Sequence, residues 1–210
     1  MPFEHACFIS YAHGEYKLMQ TFMAELTQAL QSSLEPYLDI TACIDRKLLA
    51  PGARFNVTLA QAICQSVCMV VVYSPRYARH PYCLREYEAM RTLQQRRFEA
   101  IGSGVEPANG MIIPIVFRGK PEELPVEIRE HVHYMDFRGF TLYDARIRRN
   151  RQYVNSIERM AEYISELHEL CVQAGVDAGD DCAAFQLPEE SQVTAWGSVQ
   201  RPFPGRNGSR

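Results

Sequence analysis

Glu86 is the residue in this chain whose type and position are best suited to chemistry. It lies in the run Tyr82-Cys83-Leu84-Arg85-Glu86-Tyr87. At about 100° per residue, a helix through this run places it on the wheel between Met90 and Leu93, flanked by Cys83 and Tyr87. Glu88 points to the solvent side. A carboxylate among apolar side chains is costly to bury alone, so Glu86 stands at the rim of a cleft or meets a partner. At a cleft, an ionised carboxylate can stabilise positive charge developing on a bound group. The bland alternative is an acid near a helix start that faces the dipole or a basic neighbour such as Arg85, Arg54 or Arg76.

Other chemistries lack their residues. No G-x-G-x-x-G follows the first strand and no Walker loop is present, which disfavours a dinucleotide dehydrogenase or a phosphate-loop NTPase. The first strand ends in Ser10-Tyr11 and not in paired acids, against a receiver domain. No G-x-S-x-G supports a hydrolase elbow, and the six histidines show neither zinc-binding nor triad spacing. Cys64-x-x-x-Cys68 has no second ligand pair, so no metal is expected. The seven cysteines, at 7, 43, 64, 68, 83, 171 and 182, are odd in number and mostly sit in apolar runs. That pattern is read as buried, reduced thiols in a cytoplasmic protein.

The elements that must position Glu86 alternate in type. Ala6-Cys7-Phe8-Ile9 reads as a short buried strand, followed by the loop Ser10 to Gly14. Leu18, Phe22, Leu26 and Leu30, with Met19 and Met23, mark one face of a helix that ends before Pro36. Leu38 to Ile44 reads as a second strand, and Asp45 to Gly52 as a loop. A helix over about 53–65 leads into Val67 to Tyr73, a continuous apolar run typical of a central strand buried on both faces. The Glu86 helix runs from Pro81 to about Arg97, its proline suited to the first turn.

Beyond a connection at 102–110, Met111 to Phe117 reads as a fourth strand, although Pro114 counts against a central position. Val132 to Phe137 is a weaker fifth. Tyr153, Ile157, Met160, Ile164 and Leu167 mark a last amphipathic helix, and residues 172–210 read as a C-terminal tail or linker after a domain of 1–171. The basic group Arg146, Arg148, Arg149 and Arg151 reads as a decorated surface turn.

Such βα alternation implies an α/β fold with a parallel sheet and helices on both faces. Ligands in such sheets bind beyond the carboxyl ends of the strands, near the switch in strand order. The loops after the first two strands and the Tyr82–Glu86 segment all belong to that edge. With 210 residues, 47% hydrophobic and 22% charged, the chain is one ordinary globular domain with a short extension. A net charge of −3 gives no reason to expect nucleic acid. No apolar stretch approaches the roughly 18 residues that span a bilayer, and the start, Met1-Pro2-Phe3-Glu4-His5, has no leader pattern.

Phe8-Ile9-Ser10-Tyr11, Ile44-Asp45 with Leu48-Leu49-Ala50-Pro51-Gly52, Tyr73-Ser74-Pro75 and Tyr82-Cys83-Leu84-Arg85-Glu86 together resemble the TIR (Toll/interleukin-1 receptor) domain, over about residues 4–170. The resemblance implies a flavodoxin-like, doubly wound sheet of five parallel strands, and it accommodates Pro114, since TIR domains often carry a proline in this strand. It also implies one of two functions. Many bacterial and plant TIR domains, and one animal axonal protein, cleave NAD+ at the nicotinamide–ribose bond with a glutamate at the position of Glu86. Animal receptor and adaptor TIR domains act instead as non-enzymatic assembly scaffolds.

On the first reading the chain is a cytoplasmic, prokaryote-type NAD+ glycohydrolase or cyclase of an immune or antiphage signalling system, with Glu86 catalytic and no cofactor beyond NAD+ as substrate. Ordered self-association through the loop 45–52, with Lys47, Leu48, Leu49, Pro51 and Gly52, would switch it on, and a sensor or effector protein is a further expected partner. The resemblance points to Ser10, Tyr11, His13, Asp45, Arg46, Phe55 and Tyr82 as substrate-binding. Phe55 and Tyr11 offer flat faces to nicotinamide or adenine, Ser10 and His13 hydrogen bonds to ribose or phosphate, and Arg46 and Lys47 positive charge for the pyrophosphate or a neighbouring subunit. Each also has an ordinary reading as core contact, loop cap or solvated loop. Many catalytic members have Trp where this chain has Tyr82. A more distant candidate is a nucleoside deoxyribosyltransferase-like enzyme, which also places a glutamate at ribose but needs a covalent step.

Overall fold

The computed structural model describes residues 2–14, 17–44, 55–102, 110–129, 134–140 and 147–196. Five strands, β1 (His5–Tyr11), β2 (Thr41–Ile44), β3 (Ser66–Tyr73), β4 (Ile112–Val116) and β5 (Met135–Asp136), form one sheet in the order β2-β1-β3-β4-β5. Every neighbouring pair is parallel. Parallel neighbours need crossovers, which α1 (Lys17–Leu34), α2 (Phe55–Cys64), α3 (Pro81–Ile101) and α4 (Val126–Arg129) provide before α5 (Arg151–Gln173). All eight residues of β3 are buried, as are six of the seven in β1. Side chains alternate between the faces of a strand, so helices must cover both sides. α1 packs with α5, and α2 with α3. This is the flavodoxin-like doubly wound architecture expected.

The helices follow their apolar stripes. Phe22, Leu26, Leu30 and Leu34 of α1 are fully buried, each contributing about 1.5–3 kcal/mol. Leu18, expected on that face, is 39% exposed in the first turn. All five marker residues of α5 are buried. The Asn150 side chain caps α5 by accepting from the amides of Gln152 and Tyr153.

Pro114 lies inside the sheet, paired with Val71, and ladder parity explains its tolerance. Phe117 N donates to Tyr73 O and Phe137 N to Val116 O, so odd residues of β4 turn to β3 and even ones to β5. The missing N–H of Pro114 therefore faces the β5 side, ahead of Met135, where no ladder is described. β5 is Met135–Asp136 within the expected 132–137, of which Val132 and His133 lie outside the described residues, and β2 begins at Thr41, after a turn at 35–40.

Two expectations change. Cys64 and Cys182 form a disulfide, so the reading of seven reduced thiols does not hold. Cys7, Cys43, Cys68, Cys83 and Cys171 are buried and take no part in a disulfide. Nor does the chain leave the core at 172. α5 ends at Gln173, and the following segment folds back along α2 and α3, burying Ala178, Cys182, Leu187 and Trp196. Its anchors are single residues spaced along a Gly-, Asp- and Pro-containing stretch, which gives no periodic signal. Residues 197–210 lie outside the described residues.

Arg97 secures the same side of the sheet. It is 4% exposed and donates to the carbonyls of Cys64, Ser66 and Val67 at 2.7, 2.8 and 3.1 Å, beneath the Phe3 ring. Burial brings its guanidinium down to about 10, still charged at neutral pH. A cation against the carbonyl of Cys64, the last residue of α2, suits the negative end of that helix dipole.

Candidate functional site

In the order β2-β1-β3, the crossovers leave in opposite directions from β1 and β3, so a crevice opens at the carboxyl ends of these two strands. Ser10 is next to last on β1, and Tyr77 follows β3 in a single 3-10 turn, Tyr77–Arg79. Pro81 then starts α3 at its first position, which turns the stripe of Cys83, Glu86, Met90 and Leu93 inward.

The three side chains meet. Ser10 Oγ donates to Glu86 Oε2 at 2.5 Å and lies 2.9 Å from the Tyr77 hydroxyl, which reaches the Cys83 carbonyl at 3.1 Å. Ser10 is 1% exposed, Tyr77 0% and Glu86 3%. Burial, reinforced by the thiol of Cys83 and the carboxylate of Glu86, pushes the Tyr77 phenol well above its ordinary value, so it stays a neutral donor. Ser10 and Tyr77 carry one proton each for three contacts. With the serine proton on Glu86, Tyr77 turns its own either to Cys83 O or to Ser10.

Glu86 is thus turned inward, as its wheel position requires, and Glu88 pairs with Arg91 at the surface. Arg85 is not the basic neighbour that would make Glu86 a plain ion pair. Its Nε donates to Pro188 O at 2.6 Å and its guanidinium lies 5.2 Å from the Tyr82 ring centre.

The other expected site residues divide into groups. Tyr82 lies one turn before Glu86 on the same side of α3, is 38% exposed, and meets the Phe55 ring edge-to-face at 5.5 Å. Phe55 opens α2, so this aromatic pair lies where α2 meets the side of α3 that carries Glu86. Tyr11 is adjacent to Ser10 on a strand and so projects to the opposite face. It is buried there, with its ring 4.3 Å from that of His13 and its side chain lining a cavity with Met23, Thr27 and Ala42 of α1 and β2. Tyr11 and His13 are therefore not brought beside Glu86. Asp45, Arg46, Lys47, Leu48, Leu49, Pro51 and Gly52 lie outside the described residues. So does Arg146, while Arg148 bonds Glu25 and Gln28 of α1 as an exposed surface contact.

The sequence reading missed Tyr77 and Trp196. Tyr77 falls in a non-periodic turn. Trp196 packs against Tyr77 at 5.5 Å between ring centres and against Tyr87 at 4.8 Å, with Tyr73 at 6.5 Å. Its only sequence signal is being the sole tryptophan in the chain.

The family model for the TIR domain matches residues 7–150, the span that carries the sheet, Ser10, Tyr77 and Glu86. The chain belongs to the TIR domain family. Among solved structures, one it is similar to is the TIR domain of the Toll-related receptor TRR-2 from Hydra magnipapillata, at 19% identity over 75% of this chain and 98% of that one, with a TM-score of 0.47. Another is the set of TIR domains in the activated Roq1 resistosome that directly recognises the pathogen effector XopQ, at 23% identity over 78% of this chain and 82% of that one, with a TM-score of 0.43. No curated protein matches significantly. No helix among the described residues is long and apolar enough to cross a membrane.

Proposed function

We propose that this TIR domain cleaves the nicotinamide–ribose bond of NAD+, with Glu86 as the catalytic carboxylate. One observation carries the reading: a carboxylate at the β1/β3 crevice, 3% exposed and oriented by a serine hydroxyl at 2.5 Å. Nicotinamide leaves as a neutral ring from a cationic precursor, so its departure needs no proton. The ribose becomes oxocarbenium-like, and a fixed carboxylate beside it stabilises that charge. Water then attacks the anomeric carbon, giving ADP-ribose, nicotinamide and a proton, while a ribose hydroxyl as acceptor would give a cyclic product. Phe55 and Tyr82 offer aromatic surface for a flat ring.

Substrate reaches a carboxylate this closed only after part of its cover moves. That supports activation by self-association, with the loop 45–52 as the contacting element and NAD+ as the only small molecule required. An immune or antiphage setting in the cytoplasm fits such a switch.

The test follows nicotinamide release from NAD+ across a protein concentration series, with and without a crowding agent. Release that rises more than linearly with protein and disappears in Glu86→Ala but not in Glu88→Ala is expected. Full activity in Glu86→Ala overturns the assignment. No release at any concentration favours the second reading, a scaffold. That reading has its own observation, the exposed apolar side chains of Val57 and Tyr82 on adjoining helices.

A further inference from the structure

We infer that residues 174–196 form a strap whose hold on the Glu86 helix depends on the Cys64–Cys182 disulfide, with Trp196 as a positioning residue at its far end. The strap is anchored twice. At its start, Cys182 bonds to Cys64, the last residue of α2. It then runs along the outer side of α3, where Ala184 to Pro188 face Ala89, Thr92 and Arg96 and Pro188 O accepts from Arg85. At its end, Trp196 closes over Tyr77 and Tyr87. Tyr77 is the residue that reaches both Ser10 and the Cys83 carbonyl, so the indole backs the tyrosine that holds Ser10, the donor to Glu86.

Between the anchors the strap is held by the Arg85–Pro188 hydrogen bond and little apolar burial. Only Leu187 is buried between Cys182 and Trp196, with Phe185, Pro188 and Val193 partly so, and most other residues there are exposed. Segments with few buried apolar contacts open at low free energy. The disulfide ties the strap down at Cys182, and opening it lengthens the tether back to the end of α5 at Gln173, which lowers the effective concentration of the strap over α3. Cys182 lies in a short turn whose next residues, Ala183 and Ala184, are exposed, so local opening admits a thiolate. A dithiol reductant attacks one sulfur, its second thiol resolves the mixed disulfide, and the products are two protein thiols and the oxidised reductant. In a reducing compartment the strap is released, and oxidation by the same exchange in reverse seats it.

The consequence for turnover rests on the NAD+ reading, whereas the strap's movement does not. Because Trp196 is the sole tryptophan, its fluorescence reports the strap alone. The full chain is compared oxidised and after dithiothreitol, with Cys182→Ser alongside and circular dichroism to confirm an intact fold. Reduction is expected to make two further cysteines alkylatable by mass spectrometry, to shift the emission to the red, and to speed amide exchange over Cys83–Met90 about tenfold. Cys182→Ser should show the shifted spectrum with or without reductant. Identical spectra in all three states overturn the strap, and unchanged exchange over Cys83–Met90 overturns its link to Glu86.

If the protein turns over NAD+, Trp196→Ala should lower kcat about tenfold with little change in KM, and Trp196→Phe should restore most of it, as expected for misplacement of a reacting group. A change in KM alone, or equal loss in both variants, overturns the positioning role. Absence of turnover in the wild type defeats the NAD+ reading and leaves fluorescence and exchange to decide the strap.

Discussion

Replacing Glu86 by glutamine removes a charge and keeps a shape. The amide oxygen still accepts from Ser10, so the contact with β1 survives. Stability should change by no more than about 1 kcal/mol, or about 2–4 °C in melting temperature for a chain of this size. What disappears is attraction between a carboxylate and the developing ribose cation. For unit charges about 4 Å apart and an effective dielectric constant near 20, that attraction is about 4 kcal/mol, or roughly a thousandfold in rate. A site wetter by a factor of two would still lose about 2 kcal/mol, roughly thirtyfold. The assay is steady-state nicotinamide release at a protein concentration where the wild type is active, with Glu88→Gln as the surface control. A fall of thirty- to a thousandfold in kcat, with KM nearly constant, is expected. A loss below about threefold in a folded Glu86→Gln protein would refute the electrostatic role, because no plausible distance or dielectric reduces the effect so far.

Other perturbations separate the supports of the site from its chemistry. Ser10→Ala leaves Glu86 without its serine donor and the Tyr77 hydroxyl with the Cys83 carbonyl in place of two partners, and should cost about 1–3 kcal/mol in urea unfolding; a neutral result would mean that the contact carries no weight. Arg97→Met strips three carbonyls of their buried donor, for an expected loss of about 1–3 kcal/mol, and a loss under about 0.5 kcal/mol would contradict that account. Burial holds the His5 imidazole below its ordinary value, against the opposing pull of Glu4. The unfolded chain therefore binds more protons than the folded one below about pH 6.5, and this contribution to stability is lost as pH falls through that region. Urea midpoints at pH 7.5, 6.5 and 5.5 should decline for the wild type and decline less for His5→Gln.

Much of the architecture was legible because it rests on local periodicity. The α5 stripe repeats at helical spacing, and Val67 to Tyr73 is too uniformly apolar for anything but an interior strand. Glu86 was separable from Glu88 by wheel position alone, since two residues turn a helix by about 200°. Tyr11 shows the limit of that reasoning. It shares a motif with Ser10, but strand alternation sends the two to opposite faces, and only the packing of α1 reveals which one meets Glu86. Pro114 shows the reverse, since a local rule against it yields to the parity of one ladder and the shortness of the next strand.

The sequence by itself determined which faces the elements bury, the parallel order they favour and the inward turn of one carboxylate, because these depend on residues within a few turns of one another. Tertiary structure decided what that carboxylate meets. Ser10 lies 76 residues away from it, Cys182 lies 118 from Cys64, and Trp196 lies 119 from Tyr77. Contacts at such separations leave no periodic trace in the chain and arise only when the sheet assembles and the segment after α5 folds back along α2 and α3.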